Sequence, residues 1–402
     1  MFQSRMPSRT RKQCINMKTI MNKNFAGKKV LLRVDFDIPL TTNDTCLAEP
    51  RRKRQTIISD DLRIRASLPT IEYLLKSGAA KIILLAHLGR PKGKFVPAYT
   101  LWPIANRLSE LLKLKAKFSS PKDEYQISEK IVLLENTRFN PGEEKNDPKY
   151  AKKLARLGDS PHGEAGIFVN DAFATCHRAH ASTEGITHFL PSYAGLQLEK
   201  EVNELSKLLN PARPFVCILG GAKVSEKIKV IENLAQKTDQ FLLSGVMANT
   251  FLKALGKDVK DSAVADDVLD KAKKLYLELK GKIILPEDLI FGNFEGKQML
   301  LDNSPKDIEK FGNIIMEAKT IFWNGNIGKS EIKPFDKGTR AIAKILARAT
   351  KKGVITVVAG GDTTGFVDKI GLANKMSYIS MAGGAALEFL AGKKLPGIKT
   401  LL

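Results

Sequence analysis

Gly220-Gly221-Ala222-Lys223-Val224-Ser225-Glu226-Lys227 decides how this chain reads. It follows an apolar run, Phe215-Val216-Cys217-Ile218-Leu219, of the kind that forms a buried strand. It precedes Ile228 to Ala235, whose apolar residues recur at helical spacing. Two glycines therefore sit where a strand turns into a helix. Glycine lets the backbone turn sharply and lets an anion approach the peptide N–H groups. A helix starting there aims its positive end and its unpaired N–H groups at that anion. Lys223 and Lys227, four apart, add two ammonium groups on one helix face. A phosphate site is one reading. An ordinary turn before a solvated, lysine-rich helix is the other, and the stretch taken alone favours it.

Outward from that turn, strand, polar loop and helix alternate along the whole chain. Val30 to Phe36 reads as a strand ending in Asp35-Phe36-Asp37-Ile38-Pro39, and Leu62 to Leu75 as a helix with Arg63 near its start. Lys81 to Ala86 is a strand ending in His87-Leu88-Gly89-Arg90. Leu101 to Leu112 is a helix. Ile131 to Leu134 is a strand ending in Glu135-Asn136-Thr137-Arg138, and Gly166 to Val169 is one leading to His177-Arg178-Ala179-His180. Such alternation predicts parallel sheets covered by helices, with ligands beyond the carboxyl ends of the strands. Four strands thus deliver Asp35, His87 with Arg90, Arg138 and Arg178 to one edge, where arginine forks suit a small, multiply charged anion. Leu198 to Leu209 reads as a polar-faced connecting helix with no strand before it. A second alternation starts at Phe215, with strands over Phe241–Leu243, Ile283–Leu285, Thr320–Trp323, Val354–Val358 and Tyr378–Ser380. Its strand ends are glycine-rich: Gly245, Asn324-Gly325-Asn326, Gly360-Gly361-Asp362-Thr363 and Gly383-Gly384, which opens a last helix. Such an edge fits backbone contacts to a nucleotide.

Size and composition agree. A length of 402 residues favours two domains, and 43% apolar residues suffice for real cores. No apolar run approaches the roughly 20 residues of a membrane helix, and the N-terminus lacks a secretory core, so a cytoplasmic protein is expected. Cys14, Cys46, Cys176 and Cys217 have no metal-type spacing, which argues against zinc and against disulfides. The net charge of +22 favours anionic partners, and part of it lies in a basic tail, Arg5 to Lys12, and a basic loop, Arg51 to Arg54. Gly328-Lys329-Ser330 is not a P-loop, because Trp323 stands where the pattern needs glycine. No G-x-G-x-x-G occurs either. Cys176, His177 and His180 lack a second ligand cluster and read as hydrogen-bonded side chains rather than a metal site. Asp362 beside glycines suits Mg²⁺ riding on phosphate oxygens, and equally suits a helix N-cap.

These residues resemble the phosphoglycerate kinase family. The likeness is carried, in family order over residues 17–402, by Arg33-Val34-Asp35-Phe36, Asp61 to Arg65, His87 to Pro91, Glu135 to Phe139, Asn170 to Phe173 with His177 to His180, Gly220 to Lys227, Gly360 to Asp362, and Gly383-Gly384 with Leu387-Glu388. It implies an α/β fold of two Rossmann-like three-layer lobes, each a parallel sheet flanked by helices, joined by a hinge helix. The expected divisions are a disordered basic extension (1–16), an N-terminal lobe binding 3-phosphoglycerate (17–195), a connecting helix (196–212), a nucleotide-binding C-terminal lobe (213–388), and a segment returning to the first lobe (389–402).

The implied reaction is reversible phosphoryl transfer between 1,3-bisphosphoglycerate and MgADP, giving 3-phosphoglycerate and MgATP, after lobe closure. By resemblance Asp35, Phe36, Asp37, Arg63, His87, Leu88, Gly89, Arg90, Arg138 and Arg178 hold the glycerate. Lys223, Lys227, Gly245, Ser304, Asn324, Glu331, Gly360, Gly361, Asp362 and Thr363 hold the nucleotide, with Asp362 on Mg²⁺. Arg63, Lys223, Gly383 and Gly384 serve the transfer. A monomer is implied. Nucleic acid is the second partner reading, and Arg63, Lys223, Lys227 and Asp362 together speak against it. Four departures from the family pattern stand out: Asp37 for Asn, Ser304 for Gly, Asn326 and Ser330 for Pro and Phe, and Met381-Ala382 for Thr-Gly.

Overall fold

The computed structural model describes residues 17–42, 56–58, 60–114, 123–160, 163 and 165–402. The expected extension 1–16 and the basic loop Arg51 to Arg54 lie outside these residues.

The first half runs β1 (Lys29–Arg33), β2 (Leu40–Thr42), β3 (Thr56–Ile58), α1 (Leu62–Lys76), β4 (Lys81–Leu85), α2 (Trp102–Leu111), β5 (Glu124–Gln126), β6 (Ile131–Leu134), α3 (Pro141–Glu144), α4 (Pro148–Arg156), β7 (Ile167–Asn170), β8 (Ser192–Ala194) and α5 (Leu196–Ser206). Its sheet has the order β5-β6-β4-β1-β7-β8, parallel except for β5. Because side chains alternate along a strand, Val30 and Leu32 pack with Ile64, Ile71, Leu74 and Leu108 of α1 and α2 on one face. Leu31 and Phe168 pack with Leu154, Ala155 and Ile186 on the other.

The second half runs β9 (Phe215–Leu219), α6 (Val224–Leu234), β10 (Gln240–Leu243), α7 (Gly245–Ala254), α8 (Leu269–Glu278), β11 (Ile283–Ile284), β12 (Phe291–Phe294), β13 (Lys297–Leu300), α9 (Pro305–Glu317), β14 (Thr320–Asn324), α10 (Lys337–Lys351), β15 (Ile355–Ala359), α11 (Gly361–Lys369), β16 (Tyr378–Ser380), α12 (Gly384–Leu390) and α13 (Pro396–Lys399). Its sheet, β11-β10-β9-β14-β15-β16, is parallel throughout. Phe215, Cys217 and Leu219 face Ile228 and Ile231 of α6, while Val216 and Ile218 face Phe311, Ile342 and Leu346 of α9 and α10.

Two expectations at the junction change. A strand, β8, does precede the connecting helix, and that helix ends at Ser206, with a 3-10 turn over Lys207–Leu209. Three residues pairing in parallel with β7 leave no periodicity to read. The helix after Gly383 is also not the last, since α13 follows it. One apolar cluster spans the junction: Phe173, Leu198 and Leu205 pack with Phe389, Leu390, Ile398 and Leu401. Phe173 meets Phe389 edge to face at 5.9 Å.

Candidate active site

The carboxyl ends of β1, β4, β6 and β7 release their loops on one side of the first sheet, and the start of α1 adds Arg63. Asp35, Asp37, Arg63, His87, Arg90, Arg138, His177 and Arg178 line one cavity there. Lys223, Glu226, Ala382, Gly383, Gly384 and Glu388 of the second half close its far wall. Local capping fixes the loop after β6: Asn136 Oδ1 accepts from Arg138 N at 3.1 Å, while its Nδ2 donates to Leu88 O at 2.7 Å.

The cations are held in defined pairs. Arg63 Nη1 donates to Asp35 Oδ1 (3.1 Å) and Asp37 O (2.8 Å), and its Nη2 reaches across to Met381 O (3.3 Å). Arg138 Nη1 donates to Gly89 O at 2.8 Å. Burial, with repulsion from Arg33, lowers its guanidinium to about 10. Arg33 lies wholly buried behind the cavity, donating to Ser182 Oγ (2.9 Å), and its Nη2 stands 2.9 Å from His87 Nδ1. A guanidinium can only donate, so Nδ1 accepts and the His87 proton sits on Nε2. Burial lowers His87 to about 3, so the imidazole is neutral. Its Nε2 lies 3.6 Å from Asp37 Oδ2, and Asp37 Oδ1 accepts from Gly89 N at 2.8 Å. Burial works to raise the Asp37 carboxyl, but His87, Gly89 N–H and Arg63 outweigh it and hold the group well below the carboxylate range.

A second cavity opens along the other sheet's strand ends. It is lined by Gly221, Lys223, Lys227, Gly245, Asn324, Glu331, Gly360, Gly361, Asp362, Thr363 and Gly383. Gly360 has φ +98° and Gly383 φ +50°, the left-handed region in which glycine alone is unstrained. Lys223 is the N-cap residue of α6 rather than a member of its face, while Lys227 lies in the first turn and is 3% exposed. Burial and the Lys223 charge lower Lys227 to about 8, against the pull of Glu226 and Asp362. Asp362 sits in the first turn of α11, whose N-cap is Gly360, and caps nothing. Thr363 Oγ1 accepts from Gly325 N at 3.0 Å, tying β14's loop to α11. The departures Asn326 and Ser330 join each other, Nδ2 to Oγ at 2.5 Å.

Three expected site residues turn their side chains elsewhere. Phe36 is fully buried and Leu88 3% exposed, both packed in the first core, because alternation along the loop after each strand points them inward. Ser304 is 1% exposed and caps α9, its Oγ accepting from Asp307 N at 3.1 Å. Arg33, His177, Glu226 and Glu388 stand in the quoted motifs without an expected site role, yet the last three line the cavity and Arg33 lies behind it. His177, expected as a hydrogen-bonded side chain, accepts at Nε2 from Arg178 Nε at 3.1 Å. No group of three or more His, Cys, Asp or Glu side chains gathers as a metal site among the described residues, and Cys176 and Cys217 are free thiols.

A family model described as phosphoglycerate kinase matches residues 20–393. The phosphoglycerate kinase of Chloroflexus aurantiacus is 45% identical, covering 96% of this chain and 99% of its own. That of Thermosipho africanus is 45% identical over 95% and 97%. Among solved structures, phosphoglycerate kinase from Coxiella burnetii aligns at a TM-score of 0.77 and 37% identity over 96% and 99% of the two chains. That from Pyrococcus horikoshii aligns at 0.79 and 29% over 96% and 98%. Two facing parallel sheets, a cation-lined edge opposite a glycine-rich one, and similarity along almost the whole length lead to one conclusion: the chain belongs to the phosphoglycerate kinase family.

Proposed function

We propose that the cleft aligns 3-phosphoglycerate on the first sheet's edge with a nucleotide on the second, and transfers a phosphoryl group reversibly between 1,3-bisphosphoglycerate and MgADP. The observation that carries this reading is the single cavity to which Arg63, Arg138 and Arg178 contribute from one side and Lys223 and Gly383 from the other. Phosphoryl transfer asks little covalent chemistry of a protein. It asks for alignment and for positive charge where the metaphosphate-like centre develops. Arg90, Arg138, Arg178 and the Nε2–H of His87 bind and orient the acid. Arg63 and Lys223 stabilise the phosphoryl group in flight. Gly360, Gly361, Gly383 and Gly384 offer peptide N–H groups, Asn324 and Thr363 shape the turn beneath them, and Gly245 and Glu331 flank the nucleoside.

Asp362 fits Mg²⁺, because one exposed carboxylate beside phosphate-binding amides is how that ion is usually held, with the phosphates supplying the other oxygens. When bound, Mg²⁺ neutralises phosphate charge. The divisions at 195, 212 and 388, a hinge about α5, a cytoplasmic location and a monomeric state belong to the same proposal. No described helix is long and apolar enough to cross a membrane.

A coupled assay with 3-phosphoglycerate and MgATP tests it. Arg63→Ala and Lys223→Ala are each expected to lower kcat by about 100-fold or more, Lys223→Ala with unchanged melting temperature and Arg63→Ala still folded despite the lost Asp35 ion pair. Turnover near that of the parent in either variant removes the assigned role.

A further inference from the structure

One acidic side chain sits among the cleft cations without being cancelled by any one of them. The Asp37 carboxylate points along the cavity wall with 41% of its side chain exposed. Its Oδ1 is tied to Gly89 N at 2.8 Å and its Oδ2 lies 3.6 Å from His87 Nε2. Asp35, by contrast, is spent on a direct ion pair with Arg63 at 3.0 Å. Asp37 therefore occupies one donor, the Gly89 N–H, and faces a second, the His87 imidazole N–H, both of the kind that an incoming phosphate or carboxylate would use. Its charge is felt by Arg33, Arg63 and Arg138.

We propose that Asp37 is an internal counter-ion of the acid-binding edge: a specificity-determining residue that competes with the bound anion and sets its affinity low. The inference rests on the proposed placement of 3-phosphoglycerate at this edge. A carboxylate on the same cleft wall opposes an anionic ligand through a partly desolvated medium, so its charge changes affinity by roughly 3- to 10-fold and less as salt rises. Because Asp37 keeps Gly89 in place through a single acceptor oxygen, an uncharged acceptor of like shape preserves the loop and removes only the charge. The ligand class affected is the small multivalent oxyanion. The nucleotide cavity on the opposite edge is not lined by Asp37, so its charge acts there more weakly.

The test is calorimetric binding of 3-phosphoglycerate, inorganic phosphate and MgATP to the full chain and to Asp37→Asn and Asp37→Ser, at about 50 mM and 500 mM salt. Both variants are expected to bind 3-phosphoglycerate and phosphate about 3- to 10-fold more tightly at low salt. The gain shrinks at high salt, and MgATP binding changes less. Asp37→Glu keeps the charge and gains nothing. Equal or weaker oxyanion binding in both Asn and Ser variants overturns the proposal, as does a gain independent of salt. Failure of the unsubstituted chain to bind 3-phosphoglycerate would instead overturn the placement of that substrate. The phosphate titration reads the counter-ion in either case.

Discussion

Lys227 shows how much a residue's surroundings add to its identity. In the sequence it is one of two lysines on a predicted face. In the fold it is buried to 3% exposure beneath the glycine turn. Burial and the neighbouring Lys223 charge bring its ammonium to about 8 from 10.5. Below that pH it is charged and attracts phosphate, and above it the attraction is lost. Nucleotide affinity is therefore expected to fall between about pH 7.5 and 9, and Lys227→Arg, always charged, to remove the inflexion. MgATP titrations across that range decide it, and an unchanged profile in the Arg variant removes Lys227 as the cause. The cations of the cleft were legible one by one because each follows a strand end. Arg33 was not, because only the pairing of β1 between β4 and β7 shows that it is sealed inside and fixes the His87 proton on Nε2.

At the scale of elements, the turn after β9 and the turn after β14 lie against each other. A Cβ on Gly220 would stand 2.2 Å from Asn326 O, a backbone atom that cannot step aside. Gly220→Ala is expected to cost about 1–3 kcal/mol of stability and to weaken nucleotide binding, because it wedges the two strand ends apart. Gly361→Ala, with nothing within 4 Å and no positive φ, should leave stability close to the parent's. Denaturant unfolding of the two variants checks the contrast, and equal losses would mean that the close approach is not the cause.

The long buried strands could be read directly, since their apolar runs are bounded by polar loops. The sequence expected Phe215–Leu219 and the wholly apolar Ile131–Leu134 with the bounds they have. β8, the β12–β13 hairpin and β5 were silent, because three or four residues with mixed polarity acquire their state from a neighbour rather than from their own pattern. Ser304 carries two signals: resemblance places it by the nucleotide, while Pro305 and Asp307 after it mark a helix N-terminus that its side chain caps.

The whole molecule is joined through α5. Its Glu201 is 2% exposed, accepts from Ser380 Oγ at 2.7 Å and Met381 N at 3.0 Å, and has no cation as a partner among the described residues. Met381 O in turn accepts from Arg63, so one short path links the connecting helix, the second sheet and the cleft. Burial raises the Glu201 carboxyl from 4.5 to about 7. Between those values the folded chain holds a proton that the unfolded chain releases, so this group's contribution to stability falls as pH rises through the window. Asp171, raised to about 6 by burial at the start of α5, acts in the same sense. Glu201→Gln is expected to unfold with a shallower decline between pH 5 and 7.5 than the parent. Parallel curves for the two proteins would show that Glu201 does not titrate there.

The backbone passes between the two sheets twice, through α5 and again beyond α12. The return is pinned where Gly397 N donates to Cys176 O at 3.0 Å and Lys18 N to Leu401 O at 2.8 Å. A body hung by one strap can swivel as well as swing. Held by two, it keeps its swing and loses most of its torsion. A rocking of the kind proposed above would then follow one repeatable arc, with the approach of Lys223 to Arg63 aimed by the path of the chain before any ligand arrives.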